Sequence, residues 1–135
     1  MTQLFEISKT FHFDMTHRLS FHQGKCRHLH GHTYTLEVYV RGVPDKHGFV
    51  MDFGDLKHIV KEEIVDILDH SVAIYEKDVT LVDALSGKFR AVMLPFETTA
   101  ENLCAWIARR LQARNLDISK IILWETPTSK AVLTL

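Results

Sequence analysis

Cysteine is scarce in this chain: Cys26 and Cys104 are the two thiols among 135 residues. Two cysteines in dissimilar surroundings argue against a disulfide framework, so a packed core has to hold the fold. Proline (three) and glycine (six) are few, and no segment is low in complexity. Neither charge dominates: 16 basic residues face 17 acidic ones, leaving a net charge of -1 and no basic stripe for nucleic acid. Long apolar runs are missing, and the opening Met1-Thr2-Gln3-Leu4-Phe5-Glu6 has neither a charged leader nor an apolar stretch behind it. Neither a membrane span nor a signal peptide is therefore expected, and the expected location is cytoplasmic. At 15.6 kDa with 46% hydrophobic and 24% charged residues, the chain reads as one soluble globular domain over residues 1–135.

Histidine is plentiful, with nine residues. The stretch Cys26-Arg27-His28-Leu29-His30-Gly31-His32 follows His17 closely, and strand parity says how these could meet. From Phe5 to His17 the odd positions are mostly apolar and the even ones polar, the mark of a half-buried strand with His17 on its inner face. From Thr33 to Val40 the alternation recurs, and extending it backwards puts His30 and His32 on the apolar side. If the two strands pair antiparallel, His17, His30 and His32 meet at one end, facing inward.

Three imidazoles with an open fourth position are a usual catalytic zinc arrangement, whereas a structural site closes its shell, often with cysteine. Cys26 could be that fourth ligand, and these could also be ordinary histidines, as His12, His22, His28, His47 and His58 are read to be. Gly31 weakens the plain reading, since it removes a side chain where a ligand or backbone approaches. Between Lys25 and Arg27, Cys26 lies in an electropositive stretch, a setting in which a thiol serves as a base. Cys104 shares helical spacing with Ala100, Leu103, Ile107 and Leu111 and reads as buried.

Further along, Asp55 to Leu68 predicts a helix that delivers Asp69 and His70 at its C-terminal end. Arg90 to Leu94 reads as a short strand before Pro95. Thr98 and Glu101 have the spacing of a capping box opening a second helix, to about Asn115. Ser119 to Glu125 and Ser129 to Leu135 predict two final strands, with Glu125 sharing the parity of Ile121 and Leu123. The expected architecture is α+β: a four-stranded antiparallel sheet with two helices on one face, in the order ββααββ. Its two free edges are a liability that burial in an oligomer would remove.

Phe13-x3-His17 followed by Cys26-x3-His30-Gly31-His32 resembles the 6-pyruvoyltetrahydropterin synthase and 6-carboxytetrahydropterin synthase family. Gly48 to Lys57, Leu68-Asp69-His70, Thr98 to Leu103 and Trp124-Glu125-Thr126 resemble further family segments in the right order. The three-residue spacer before His-Gly-His is similar to that of the bacterial 6-carboxytetrahydropterin synthases. The resemblance implies the tunnelling fold, a homohexamer with active sites between subunits, and Zn2+ held by His17, His30 and His32. It implies Cys26 as the base, Asp69 and His70 as a pair relaying protons with it, and Glu125 as the anchor of the pterin's amino-pyrimidine edge. The plain alternatives are helix capping for His70 and solvent exposure for Glu125. The implied reaction is a zinc-dependent lyase step on 7,8-dihydroneopterin triphosphate, in the queuosine route. A pyruvoyl-forming synthase, a non-catalytic zinc or pterin-binding module and a three-histidine hydrolase stay open beside it. Lys25, Arg27 and Arg18 are candidates to meet the triphosphate. Two departures from the family pattern stand out: Ser71-Val72-Ala73-Ile74 after Leu-Asp-His, and a long stretch from Tyr75 to Phe96.

Overall fold

The architecture follows from two long strands whose inner faces form one wall of the core. In the computed structural model, which describes residues 2–135, β1 (Phe5–His17) and β2 (His30–Gly42) pair antiparallel from Phe5 opposite Gly42 to His17 opposite His30. The inward-facing residues are buried toward the end of β1 and along the middle of β2, among them Phe13, Met15, Tyr34, Leu36 and Val38. The rings of Phe13 and Tyr34 stack at 5.1 Å between centroids, directly below the histidine end of the pair.

Against this apolar face packs a helical segment made of α1 (Phe53–Val60), a wide π turn (Lys61–Val65) and α2 (Asp66–Leu68). It starts earlier than the predicted Asp55 because Asp52 caps it, its carboxylate accepting from Gly54 N at 2.6 Å. Leu56, Val60, Ile64 and Leu68 bury its inner stripe. The second core helix is α4 (Ala100–Gln112), preceded in the chain by α3 (Val79–Leu85). Thr99, not Thr98, caps α4, its hydroxyl accepting from Asn102 N at 3.1 Å, so the expected Thr98–Glu101 box does not form.

The sheet is larger than the sequence suggested, and this corrects the expected four strands and two helices. β3 (Ser71–Tyr75) pairs parallel with β1, and β4 (Ala91–Leu94) pairs parallel with β3. β5 (Ile118–Thr126) lies antiparallel to β2, and β6 (Ser129–Thr134) antiparallel to β5. The result is a six-stranded mixed sheet in the order β4-β3-β1-β2-β5-β6, within an α+β fold. The departures Ser71 to Ile74 and Tyr75 to Phe96 are the source of the difference, for they build a strand–helix–strand crossover through α3. β3 escaped the sequence reading because Ser71, Val72, Ala73 and Ile74 are all buried. A parallel strand covered on both faces shows no alternation of apolar and polar residues.

Candidate functional site

At the end of β1 and the start of β2, the register alone brings three histidines onto one face. His17 lies opposite His30, and His32 is diagonal to it, opposite Met15. Ring centroids are 4.8 Å apart for His17–His30, 4.9 Å for His30–His32 and 5.4 Å for His17–His32. One ring nitrogen of each lies within 4.8 Å of the other two. His17 is fully buried, and burial drives its pKa down to about 4, so it stays neutral in ordinary buffers. His32 is also shifted down, by burial first, against an upward pull from Glu125.

Hydrogen bonds outside the cluster decide which nitrogen two of the three rings offer. His17 Nδ1–H donates to the Thr98 carbonyl at 2.9 Å, with the Thr98 hydroxyl at 3.1 Å. His30 Nδ1–H donates to the His28 carbonyl at 2.7 Å. Both rings are thereby held in the tautomer that leaves Nε2 as a lone pair, the arrangement that supports metal-ligating histidines. Among the described residues, His32 Nε2 has no hydrogen-bond partner although it is buried. Glu125 Oε1 stands 3.3 Å from it, but out of line for a hydrogen bond. His17 Nε2 is met by the Tyr34 hydroxyl at a long 3.4 Å, and three converging imidazoles with an orphaned buried nitrogen among them fit a divalent cation.

Cys26 sits half-buried in a short 3-10 turn, Lys25–Arg27, on the loop between the two strands. Its carbonyl accepts from Leu19 N at 2.8 Å, which folds the loop back toward the histidines. Its sulfur is not part of the histidine cluster, so the arrangement does not present it as a fourth ligand. Two ties that the sequence did not disclose anchor this loop. Arg18 clasps Asp78 through Nε at 2.7 Å and Nη2 at 2.6 Å, while its Nη1 reaches the Arg27 carbonyl at 3.4 Å. Ser20 donates to Glu97 beside Thr98. Arg18 is thus engaged by a carboxylate, which leaves Lys25 and Arg27 as the better candidates of the three for an anionic ligand.

Asp69 and His70 stand where α2 ends. His70 Nδ1 is 3.0 Å from Asp69 Oδ1, and the same carboxylate oxygen accepts from Asp14 N at 2.9 Å. That backbone bond, followed by the His70 contact, holds the Asp69 carboxyl below the usual carboxylate range. His70 adopts φ of 60°, a left-handed conformation unusual for a residue with a side chain. Its ring and that of His32 line one cavity of about 710 Å³, together with Thr16, Thr33, Phe89 and Arg90. Asp14, Asp69 and His70 also form a tight group of possible ligand atoms, on which sequence reasoning had not included Asp14.

Glu125 lies on β5 where the ladder to β6 is irregular, between Trp124 and Thr126. Its carboxylate is a quarter exposed and lines a second cavity of about 330 Å³ beside Glu101. The expected inward parity therefore brings it to the rim of the histidine cluster. The structure thus brings His17, His30, His32 and Glu125 together, sets Asp69 and His70 as a contacting pair on a cavity shared with His32, and places Cys26 on the adjoining loop.

Comparison with known proteins converges on one family. A 47% identical relative from Haemophilus influenzae, matched over 93% of this chain and 96% of its own, is named 6-carboxy-5,6,7,8-tetrahydropterin synthase. A protein of the same name from Aquifex aeolicus is 34% identical, over 93% of this chain and 95% of the relative. Among solved structures, a Wolinella succinogenes protein superposes with a TM-score of 0.85 at 23% identity, covering 98% of both chains. The Caenorhabditis elegans 6-pyruvoyl tetrahydropterin synthase superposes with a TM-score of 0.73, also at 23% identity, covering 98% of this chain and 96% of that one. The family profile described as 6-pyruvoyl tetrahydropterin synthase matches residues 6–134. The chain belongs to the 6-pyruvoyl tetrahydropterin synthase family.

Proposed function

We propose that this protein is a zinc-dependent carbon–carbon lyase that converts 7,8-dihydroneopterin triphosphate to 6-carboxy-5,6,7,8-tetrahydropterin, releasing acetaldehyde and triphosphate. The observation that carries the reading is the histidine cluster, with its pinned tautomers and orphaned His32 nitrogen. The names of the relatives from Haemophilus influenzae and Aquifex aeolicus support the choice of product.

His17, His30 and His32 would hold zinc, which when bound polarises hydroxyl oxygens and acidifies the adjoining C–H bonds of the substrate side chain. Cys26 takes a proton from the side-chain carbon. Its turn is tied to β1 through Leu19 and Arg18, which limits how far the sulfur can wander. His70 exchanges protons with solvent and substrate, and the Asp69 carboxylate, 3.0 Å from its Nδ1, orients the ring and leaves Nε2 as the working atom. Glu125 accepts the paired N–H donors of the amino-pyrimidine edge, a half-buried carboxylate then matched by a ligand rather than left unpaired. Lys25 and Arg27 meet the triphosphate.

The assembly proposed is a homohexamer in the cytoplasm, serving 7-deazaguanine (queuosine) biosynthesis. β4 and β6 leave two sheet edges that neighbouring subunits would pair or cover. Phe21, Leu29, Phe49 and Phe53 are exposed apolar side chains suited to the same burial.

The test is anaerobic incubation of zinc-loaded protein with 7,8-dihydroneopterin triphosphate, with pterins and acetaldehyde read by mass spectrometry. A 6-carboxypterin with stoichiometric acetaldehyde is expected. A pyruvoyl product without acetaldehyde would reassign the reaction, and no turnover would overturn the catalytic reading.

A further inference from the structure

We infer that Arg90 is a positioning residue for the Asp69/His70 pair, delivered by the β3–α3–β4 crossover; this rests on the reading of that pair as the proton relay. The last carbonyls of a helix have no partner within it and must find donors elsewhere. Here one guanidinium supplies several. Arg90 Nε donates to the Asp69 carbonyl at 3.1 Å, and Nη2 donates to the carbonyls of Ile67, at 3.3 Å, and of Asp66. The main chain of Arg90 is fixed in turn, its carbonyl accepting from Val72 N at 2.9 Å. The residue therefore grips both sides of the segment that carries the pair.

That segment needs gripping. His70 sits at φ of 60°, and a residue with a Cβ stays in that region only where its surroundings over-determine it. On one side the hold comes from Asp14, whose carbonyl accepts from His70 N at 2.7 Å and whose N–H donates to Asp69. On the other side it comes from Arg90 on the Asp69 carbonyl, with Asp69 N on the Val65 carbonyl at 2.8 Å and the Ser71 hydroxyl on the Leu68 carbonyl at 2.6 Å. The Asp69 carbonyl bound by Arg90 belongs to the peptide that leads into His70, so its orientation sets where the imidazole points. A planar fork of donors can serve three carbonyls at once, whereas an ammonium on a flexible stem cannot hold the same geometry. Arg90 is exposed and lies outside the apolar core, so its removal does not open a cavity there. It also lines the cavity shared by His32 and His70.

The experiment compares R90A, R90K and H70Q with the parent protein, all zinc-loaded, using 7,8-dihydroneopterin triphosphate. For R90A the expected result is a kcat lower by roughly 10- to 100-fold, the usual cost of loosening a supporting contact, with KM and zinc content near parental values. R90K is expected to recover only a small part of that loss. The backbone amide resonance of His70 should shift in R90A, while the resonances of β2 and β5 stay in place. Parental kcat in R90A beside a collapsed H70Q would overturn the inference, as would a loss of zinc and thermal stability matching the loss of rate. Parental activity in H70Q would instead remove the relay reading on which it rests.

Discussion

Asp14 and Asp69, separated by 55 residues in the chain, are joined by a hydrogen bond of 2.9 Å from the backbone N–H of the first to the carboxylate of the second. The Asp14 carbonyl binds His70 N as well, at 2.7 Å. One residue of β1 therefore references both members of the pair to the strand that also carries His17. The Asp14 side chain is itself occupied, accepting from the Thr33 hydroxyl at 2.6 Å, which ties the arrangement to β2. The frame that holds the histidines is the frame that holds the pair.

Replacing Cys26 with alanine should separate a base from a structural ligand. The sulfur stands outside the histidine cluster, so zinc content measured by mass spectrometry should stay at one per chain-equivalent site. Activity should fall by at least about 100-fold, the scale of a lost acid–base group. Loss of zinc in the variant would instead assign Cys26 to the metal shell.

Glu125→Gln keeps the shape and removes the charge that faces the ring of His32 at 3.3 Å. An amide presents one acceptor where the carboxylate presents two, so pairing with two parallel donors is broken. KM for the pterin should rise by about tenfold or more, with zinc retained. An unchanged KM would argue that the carboxylate faces water and binds no pterin.

Stripping the metal should lower stability without unfolding the protein. The core of β1, β2, α1 and α4 is built from apolar side chains that pack without a metal. Adding zinc at about 100 times its Kd should stabilise the apo-protein by about 2.7 kcal/mol, visible as a rise in Tm by calorimetry. A Tm indifferent to zinc would remove the cluster as a metal site.

Acid should loosen the Asp78–Arg18 clasp. The side chain of Asp78 is 3% exposed, and the hydrogen bonds from Arg18 hold its carboxyl below the usual range. A carboxyl with a depressed folded pKa binds fewer protons folded than unfolded, so its contribution is present above about pH 4 and is lost as pH falls further. Asp78→Asn should destabilise by about 3 kcal/mol, as when one partner of a buried pair is removed, and should flatten the stability profile below pH 4. Urea titrations at pH 7 and pH 3 test this; equal losses at both pH values would contradict the assignment.

The histidine cluster was legible in the sequence because it depends on parity and on one hairpin-like register. His17, His30 and His32 needed only the alternation of β1 and β2 to be put on one face. The long helices were legible for the same kind of reason, through the spacing of Leu56, Val60, Ile64 and Leu68. β3 was not legible, since Ser71 to Ile74 are buried on both sides and show no period. Nor was the capping of α4 by Thr99, because Thr98 has the same hydroxyl and only the chain's path at that point frees it to serve His17.

The sequence by itself determined the inner face of each strand, the approach of three imidazoles and the delivery of Asp69 and His70 at a helix end. These follow from short-range periodicity, which the chain carries locally. Only the tertiary structure decided that Thr98 and His28 set the histidine tautomers, that Asp78 takes up Arg18, and that Arg90 grips the end of α2. Such partners lie up to 81 residues apart for His17 and Thr98, and no local pattern encodes them. They arise when six strands settle into one register and bring distant carbonyls and carboxylates within hydrogen-bond reach.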